Sequence, residues 1–451
     1  MLLDFIEFDY NKKGDLYNTV YSRIKEAYTN GAIKKGERLP SVREAAKQLG
    51  ISRTTVENAY DKLCIEGIAE SVPQKGYFIT DFKKFGRNTL EFENEKEEII
   101  KYDFSGRSID TYLADTENWK KTVRNALLNS EELTSYGNAQ GELVLRNALS
   151  SYIYKSRGVL SRPENMIIGA GLGPLLNILC RLMDKDIKIG FENGGFRQAE
   201  SVFSDYGIDN IVLKSDNNGA IIESINESLV NVLFLLPSAL PKISITALSK
   251  RRNEFLKWAE QDNRRIIIED DYNGELRFTA RTVPAFQIKN PQKTVYIGSF
   301  SKLLLPSVRL AFMVLPDSLT ELFEKRKTDF NQTCGKIEQI ALANYIINGN
   351  LEKHLRRLRR RYYSKSQLFI SELNKNFPDC KTEVFETSLI TELQTGLNVK
   401  SKEICEILYK NGIKVIESSK NGSIKLSFAG IKDGEIPVAV EYIKSIINKN
   451  W

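Results

Sequence analysis

The sequence predicts a two-part chain: a small α+β unit in the first 80 residues, then a large α/β domain with a mainly parallel sheet over 103–451. Three observations predict it. Helix-period apolar patterning with two N-cap signals fills the start of the chain and gives way to two short strand-like runs. A charge-dense stretch with little periodicity follows at 81–102 and reads as a linker. Beyond it, short runs rich in Ile, Val and Leu recur between helical segments. At 451 residues the chain is also too long for one ordinary domain.

Composition narrows the chemistry. Hydrophobic residues make up 41%, enough for large cores, and charged residues an ordinary 27%. The N-terminal "MLLDFIEFDY" has no basic region leading into an apolar run. No apolar stretch approaches the roughly 20 residues that span a bilayer. A cytoplasmic chain with no membrane partner is therefore expected. Cys64, Cys180, Cys334, Cys380 and Cys405 lack zinc-ligand or redox-motif spacing and read as reduced thiols. The sole histidine, His354, makes a Ser-His-Asp triad improbable and excludes a multi-histidine metal site, so no metal is expected. Proton chemistry must then use Lys, Tyr, Asp, Glu or a bound cofactor.

The net charge of +7 points weakly to a polyanion. Its distribution says more. Lys34, Lys35, Arg38, Arg43, Lys47 and Arg53 face only Glu37 and Glu44. A second basic run, "KHLRRLRRR" at 353–361, reads by itself as a solvated helix face.

In the first unit, Leu16, Val20, Ile24 and Ala27/Tyr28 recur at helical spacing until "NGA" stops the pattern. Ser41 and Glu44 have capping-box spacing, Ala45, Ala46 and Leu49 give a buried face, and Gly50 is placed to end the helix. Ser52 is a second N-cap before the stripe Val56, Ala59, Tyr60, Leu63. Two short helices joined by about three residues form a helix-turn-helix. "IAESVPQKGYFIT" then reads as two strands around a turn, a wing. Such a unit sends the start of its second helix into the major groove of double-stranded promoter DNA. The residues placed for contact are Arg43, Ser52, Arg53, Thr54 and Thr55, with Lys75 and Gly76 at the wing.

The large domain offers seven runs: "MIIGAG", "IKIGF", "NIVLK", "VLFLLP", "RIIIED", "TVYIGSF" and "RLAFMVL". They do not alternate, as expected of strands covered on both faces. "ALSKRRNEFLKWAEQ" is a helix between two of them. Open α/β sheets bind ligands beyond the carboxyl ends of their strands. "GAGLGPLL" at 169–176 follows the first run, and its glycines could free backbone N–H groups at a helix start for a phosphate. Glu269, Asp270, Asp271 and Tyr272 follow "III". "GSFSKLLLPSVR" brings Ser299, Lys302 and Arg309. An anion cradle, an amine for an electrophilic carbon and a carboxylate for a ring nitrogen together suit pyridoxal 5'-phosphate (PLP).

Two sets of strings carry a family resemblance. "RLPSVREAAKQLGISRTTVENAYDKLCIEG" resembles the winged helix of GntR-type regulators. "SYGNAQGELVLRNALSSYIYKSRGV", "IIIEDDYNGEL" and "GSFSKLLLPSVRLAF" resemble fold-type I aminotransferases. The whole chain is thus similar to MocR-type regulators. The resemblance implies a fold-type I PLP-dependent aminotransferase-like domain with a small α/β subdomain at approximately 345–451. It implies PLP joined to Lys302 as a Schiff base, Asp270 facing the ring nitrogen and Tyr272 at the 3'-oxygen. It places Ser299, Arg309 and the 171–173 backbone at the phosphate. A homodimer is expected, and the resemblance implies that its winged helices are swapped head-to-tail.

Three departures from the family pattern bear on function. Pro237, Ser238, Ala239 and Leu240 replace a polar stretch. "NGGF" at 193–196 replaces Pro-Gly-aromatic. Lys425 stands where aminotransferases grip the substrate carboxylate with arginine, keeping the charge but losing the bidentate fork. Cofactor groups look intact and substrate groups altered. The expectation is a sensor of an amine, an amino acid or PLP itself, with Lys425 and Arg197 meeting the effector and at most a weak transaminase half-reaction. An active aminotransferase with a DNA-binding appendage is the alternative.

Overall fold

A computed structural model describes residues 3, 6, 16–80, 100–109, 112–128, 133–192, 197–216, 219–237, 245–278, 284–385 and 387–451. The chain divides into two compact units, Met1–Glu97 and Glu98–Trp451. The expected linker lies outside the described residues up to position 99, as do "NGGF" at 193–196 and positions 238–240.

The first unit has three helices and a wing. Helix α1 (Leu16–Thr29) buries Val20, Ile24 and Ala27, while Leu16 at its first position stays exposed. Helix α2 (Val42–Leu49) starts on a complete capping box. Ser41 Oγ accepts from the Glu44 N–H at 3.2 Å, and the Glu44 carboxylate accepts from the Ser41 N–H at 3.0 Å. Gly50 closes the helix in the left-handed region, which costs a residue without Cβ little. In α3 (Arg53–Ile65), Ser52 caps the Thr55 N–H at 3.1 Å, and Val56, Ala59, Tyr60 and Leu63 are buried. Strands β1 (Ala69–Val72) and β2 (Gly76–Ile79) pair antiparallel, Ala69 opposite Ile79 and Val72 opposite Gly76. The inward residues of all five elements share one core.

The second unit is built on a seven-stranded sheet. Its strands are β3 (Met166–Gly169), β4 (Lys188–Phe191), β5 (Asp209–Val212), β6 (Val232–Leu235), β7 (Ile266–Asp270), β8 (Thr294–Ser299) and β9 (Ala311–Val314). Their order across the sheet is β3-β9-β8-β7-β6-β4-β5. Every pair from β8 to β5 is parallel, and β9 runs antiparallel to both β8 and β3. The ends of β3, β7 and β8 therefore open on the same edge of the sheet. Each expected run forms one strand. One expectation is corrected: β5 is not covered on both faces. It lies at one edge of the sheet, with β4 its only neighbour among the described residues, and Ile211 and Val212 are exposed.

Helices pack on the sheet and on one another. They include α4 (Thr116–Leu127), α5 (Leu143–Arg157), α6 (Leu172–Leu182), α7 (Arg197–Asp205), α8 (Ile245–Glu260), α9 (Lys336–Ile347) and α10 (Asn350–Asn376). Leu175, Leu176 and Leu179 of α6 share a core with Ile167, Phe234, Val295 and Met313. Ile168, Tyr296, Phe312 and Val314, their alternating neighbours, join a different core with α5 and α9. Burying each such side chain stabilises the fold by about 1.5–3 kcal/mol. A smaller antiparallel sheet follows, with β10 (Lys381–Phe385), β11 (Ile390–Gln394), β12 (Ile416–Glu417) and β13 (Ser423–Ser427) in the order β10-β11-β13-β12.

Ser41→Ala removes half of the capping box and should lower the stability of the first unit by about 1 kcal/mol. Chemical denaturation followed by a probe placed in that unit will read the shift. A stability equal to the parent's would show that the cap does not hold α2 in place.

Candidate functional site

The end of β7 sorts three consecutive carboxylates to different tasks, because side chains alternate across a strand. Glu269 points back into the core, fully buried. It accepts from the Phe286 and Gln287 N–H groups at 2.9 and 3.2 Å. Asp271 is also buried. It takes a charge-assisted hydrogen bond from Arg157 Nε at 2.5 Å and one from the Tyr296 hydroxyl at 2.8 Å. Burial alone would lower the Arg157 pKa, but Asp271 outweighs it and raises it.

Asp270 differs. It is buried, and its carboxylate has neither a hydrogen bond nor an ion pair among the described residues. Burial first, and then the Asp271 charge, push its pKa up to about 7. A buried carboxylate in that condition is costly to ionise unless a cation comes beside it, and the described residues supply none.

Lys302, just past the end of β8, is the complement. It is 8% exposed, and its nearest polar partner is the Ser388 carbonyl, 3.4 Å from Nζ. Among the described residues no carboxylate pairs with it, and burial brings its pKa down to about 8. Tyr272 is near both groups. Its ring centroid is 5.7 Å from Lys302 Nζ. Burial raises the Tyr272 hydroxyl to about 12, Asn273 works against that rise, and the Asp270 charge adds to it.

The start of α6 meets the same edge. Gly171 has φ +100°, and a Cβ there would come within 2.6 Å of Arg309 Nη2. Only glycine lets the backbone lie this close to the guanidinium. The N–H groups of the first turn of α6 thus open beside Arg309, which is exposed. Ser299 is half-buried, with its Oγ 3.1 Å from Ser301 Oγ. An α6 N-terminus with an arginine beside it has the charge and the free N–H groups that suit an anion.

Sequence reasoning missed several residues here. A Cβ on Gly106 would lie 3.1 Å from Ser427 Oγ and 3.4 Å from Lys302 Nζ, so these three share one small volume. Gln198 Nε2 would be 3.3 Å from a Cβ on Gly173, and Thr333 Oγ1 accepts from the Ala170 N–H at 3.0 Å. Lys425 lies two residues before Ser427 on β13, on the same face, half-buried, with Nζ 5.7 Å from the Phe385 ring centroid. Arg197 is the exposed first residue of α7, and no contact ties it to Lys302 or Asp270.

In the first unit, Arg43, Ser52, Arg53, Thr54 and Lys75 are exposed, and Thr55 and Gly76 are half-buried. Ser52 and Thr55 bond one another through their hydroxyls at 2.7 Å as well as through the cap. Among the described residues, that leaves Arg53 and Thr54 as exposed polar groups at the start of α3 without a hydrogen bond. Among the described residues no cluster of His, Cys, Asp and Glu could hold a metal ion, and no helix is long and apolar enough to cross a membrane.

A winged helix with an open recognition-helix start, joined to a parallel-sheet domain with polar groups gathered at its strand ends, defines a DNA-binding regulator with an enzyme-like core. Comparison with known proteins says which. Residues 16–79 match bacterial regulatory proteins of the gntR family, and residues 108–443 match aminotransferase class I and II. The HTH-type transcriptional regulator YdeL of Bacillus subtilis is 33% identical over 95% of this chain and 96% of its own. The pyridoxine biosynthesis transcriptional regulator PdxR of Corynebacterium glutamicum is 28% identical over 75% of each chain. The probable rhizopine catabolism regulatory protein MocR of Rhizobium meliloti is 28% identical over 81% of this chain and 79% of its own. An archaeal alanine:glyoxylate aminotransferase shares the fold of the second unit. Its TM-score is 0.69 at 19% identity, over 78% of this chain and 91% of its own. The chain belongs to the helix-turn-helix transcription regulators that join a GntR domain to an aminotransferase class I and II domain.

Two stability predictions follow from the carboxylates. Arg157→Met strands Asp271 in the core and should destabilise the second unit by about 3–5 kcal/mol, read by urea denaturation. For Asp270 the sign is the reverse of a salt-bridged carboxylate. The folded chain keeps the proton that the unfolded chain has lost, so the group's contribution falls as pH rises from its ordinary 3.8 toward about 7. In ligand-free protein, Asp270→Asn should therefore gain stability relative to the parent across that window. Parallel pH profiles for the two proteins would show that Asp270 bears no such burden.

Proposed function

We propose that this transcription regulator holds PLP at the ends of β3, β7 and β8 and uses it to read a small amine, an amino acid or PLP itself. One observation carries the reading. Asp270 and Lys302 are buried groups of opposite chargeability at the ends of neighbouring strands, and neither is paired with the other. Leaving them so is costly unless a ligand completes both. PLP has the matching parts. When bound, it supplies an aldehyde that condenses with amines and a ring that accepts electron density.

Each residue would have a separate task. Asp270 would hold a proton at the ring nitrogen. Tyr272 would donate its hydroxyl hydrogen to the 3'-oxygen. Lys302 would present a neutral amine to the group, a form that burial already favours. The N–H groups of Leu172 and Gly173, with Ser299 and Arg309, would carry the phosphate. Lys425 would meet an effector carboxylate, because it shares the strand face of Ser427, which lies beside Lys302 and Gly106. Arg197 has less support for the same role, being tied to none of these groups.

Sensing is favoured over turnover by Lys425. A lysine holds a carboxylate as a point charge, without the fork that fixes a substrate's orientation for chemistry. The names of the relatives, a pyridoxine biosynthesis regulator and a rhizopine catabolism regulator, support a regulatory role for this chain as well. A homodimer fits the exposed apolar side chains of the second unit: Tyr136, with Leu127 and Leu128 at the end of α4, Leu143 at the start of α5 and Ile347 at the end of α9.

Protein titrated with PLP should show a Schiff-base absorbance band at about 420 nm that Lys302→Ala abolishes. A parent protein without that band, or a variant that keeps it, overturns the cofactor assignment. Sustained keto-acid production at enzyme-like rates would favour the aminotransferase alternative. Arg53→Ala should weaken promoter binding at physiological salt and leave the PLP band intact. Unchanged affinity would rule out α3 as the recognition helix.

A further inference from the structure

We infer that the cleft between α5, the turn Gly274–Leu276 and α10 binds a small zwitterion of the amino-acid class, at a site separate from the candidate PLP site. The inference does not depend on the cofactor. The cleft holds about 340 Å³, and Tyr152, Lys155, Ser156, Glu275, Arg356 and Arg359 line it. Small-molecule sites begin at roughly 300 Å³. None of Asp270, Lys302 and Lys425 lines it. Glu275 is buried, 7% exposed. It takes one long hydrogen bond, from the Tyr152 hydroxyl at 3.4 Å, and forms no ion pair with any described residue. Arg157 is near, but it is committed to Asp271. Burial, and then the Asp271 charge, push the Glu275 pKa up. Arg359 is half-buried. Its Nε is shut off from water without a hydrogen-bond partner, and no described carboxylate pairs with it. One cleft thus holds a buried carboxylate and a guanidinium that do not meet each other.

Packing does not account for this pair. A glutamine at 275 would fill the same volume without the cost of a buried charge. A ligand that satisfies both groups needs a cation at one end and an anion at the other. An ammonium brings three donors, enough for the Glu275 carboxylate and for the Tyr152 and Ser156 hydroxyl oxygens. A carboxylate matches the fork of Arg359. Lys155 and Arg356 are exposed at the same cleft, with Glu352 the one exposed carboxylate there, and so favour an anionic end facing outward. A plain amine would leave Arg359 unpaired and meet that positive rim. A plain carboxylate would leave Glu275 unanswered. A metal ion is a poorer occupant, since no described cluster of His, Cys, Asp and Glu could hold one. The place also suits a regulator. The turn begins two residues after Tyr272, α10 packs on it, and α5 ends in Arg157. A ligand bridging Glu275 and Arg359 would fasten α10 to the strand end that carries Asp270.

The test is isothermal titration calorimetry on the full chain without PLP. The probes are L-alanine, L-leucine, L-glutamate, L-lysine and β-alanine, each beside its deaminated and decarboxylated analogues (propionate and ethylamine for L-alanine). At least one amino acid should bind saturably, and more tightly than either analogue. Glu275→Gln keeps the shape of the side chain and should weaken that binding by roughly tenfold to a hundredfold, the loss of a charged hydrogen-bonding partner. Arg359→Gln should do the same, and Arg359→Lys should recover part of the loss. Lys425→Ala should bind as the parent does. A urea midpoint for Glu275→Gln at or above the parent's will show that its loss of binding is not unfolding. Absence of saturable binding by every probe would sink the proposal. So would an analogue that binds equally well, or a Glu275→Gln protein with the parent's affinity. Binding abolished by Lys425→Ala would put the amino acid at the effector site proposed above and overturn a separate cleft. A change of oligomeric state in Glu275→Gln or Arg359→Gln would show that a second copy of the chain fills the cleft instead. Failure of the PLP reading shows separately, in the missing absorbance band, and leaves these titrations unchanged.

Discussion

The buried ion pair between Asp271 and Arg157 fixes the strand end on which the candidate site depends. Arg157 is the last residue of α5, so the pair ties the end of that helix to the end of β7. Both side chains are almost wholly excluded from water, and two such charges are stable there only with near-complete hydrogen bonding. Tyr296 on β8 supplies part of it. With Asp271 committed inward, the pleat turns Asp270 the other way. The Asp271 charge also makes Asp270 reluctant to ionise without a cation nearby. One residue therefore anchors the scaffold and sets the chemistry of its neighbour.

How much of this was legible in the sequence follows from the range of each interaction. The capping box at Ser41 spans three residues, and the apolar runs are local, so both could be read directly. Asp270 could be found because a carboxylate after a buried strand is anomalous. The tasks of Glu269 and Asp271 could not. Arg157 lies 114 residues from Asp271, and the Phe286 N–H that meets Glu269 comes from beyond the strand. Gly106 and Ser427 were missed for the same reason, since only the fold brings them to Lys302. Edge position was equally hidden: "NIVLK" has the composition of a central strand, and its place in the sheet depends on connections that periodicity does not record.

Helix α10 joins two regions that the sequence presents as unrelated. Its basic face is the run at 353–361, while its buried face carries His354 and Leu355 into the core of the second unit. His354 lies against the backbone of Leu303, the residue after Lys302, and burial holds its pKa down at about 4. It is therefore a neutral packing group, with Nδ1 3.1 Å from Arg357. The only histidine is thus accounted for without catalysis. It sits where one rigid element touches both the lysine loop and the cationic surface.

On the proposed reading, the strain of the ligand-free site is what makes regulation feasible. A ligand shifts an equilibrium only by its differential affinity for the two states. A site already satisfied by its own salt bridges would gain little on binding, and the surrounding core would have little reason to change. Here a buried carboxylate has no partner among the described residues and a buried amine has no described carboxylate beside it, so the arrangement that holds cofactor would be the one in which both are relieved. Any conformation that moves β7 from β8 forfeits that relief. The free energy of binding is in this way tied to the geometry of the sheet edge. If Lys425 meets the effector carboxylate as proposed, a lysine in place of an arginine would leave this coupling untouched while loosening the control over orientation that fast turnover needs. A core can lose catalytic efficiency by such a change and keep its capacity to sense.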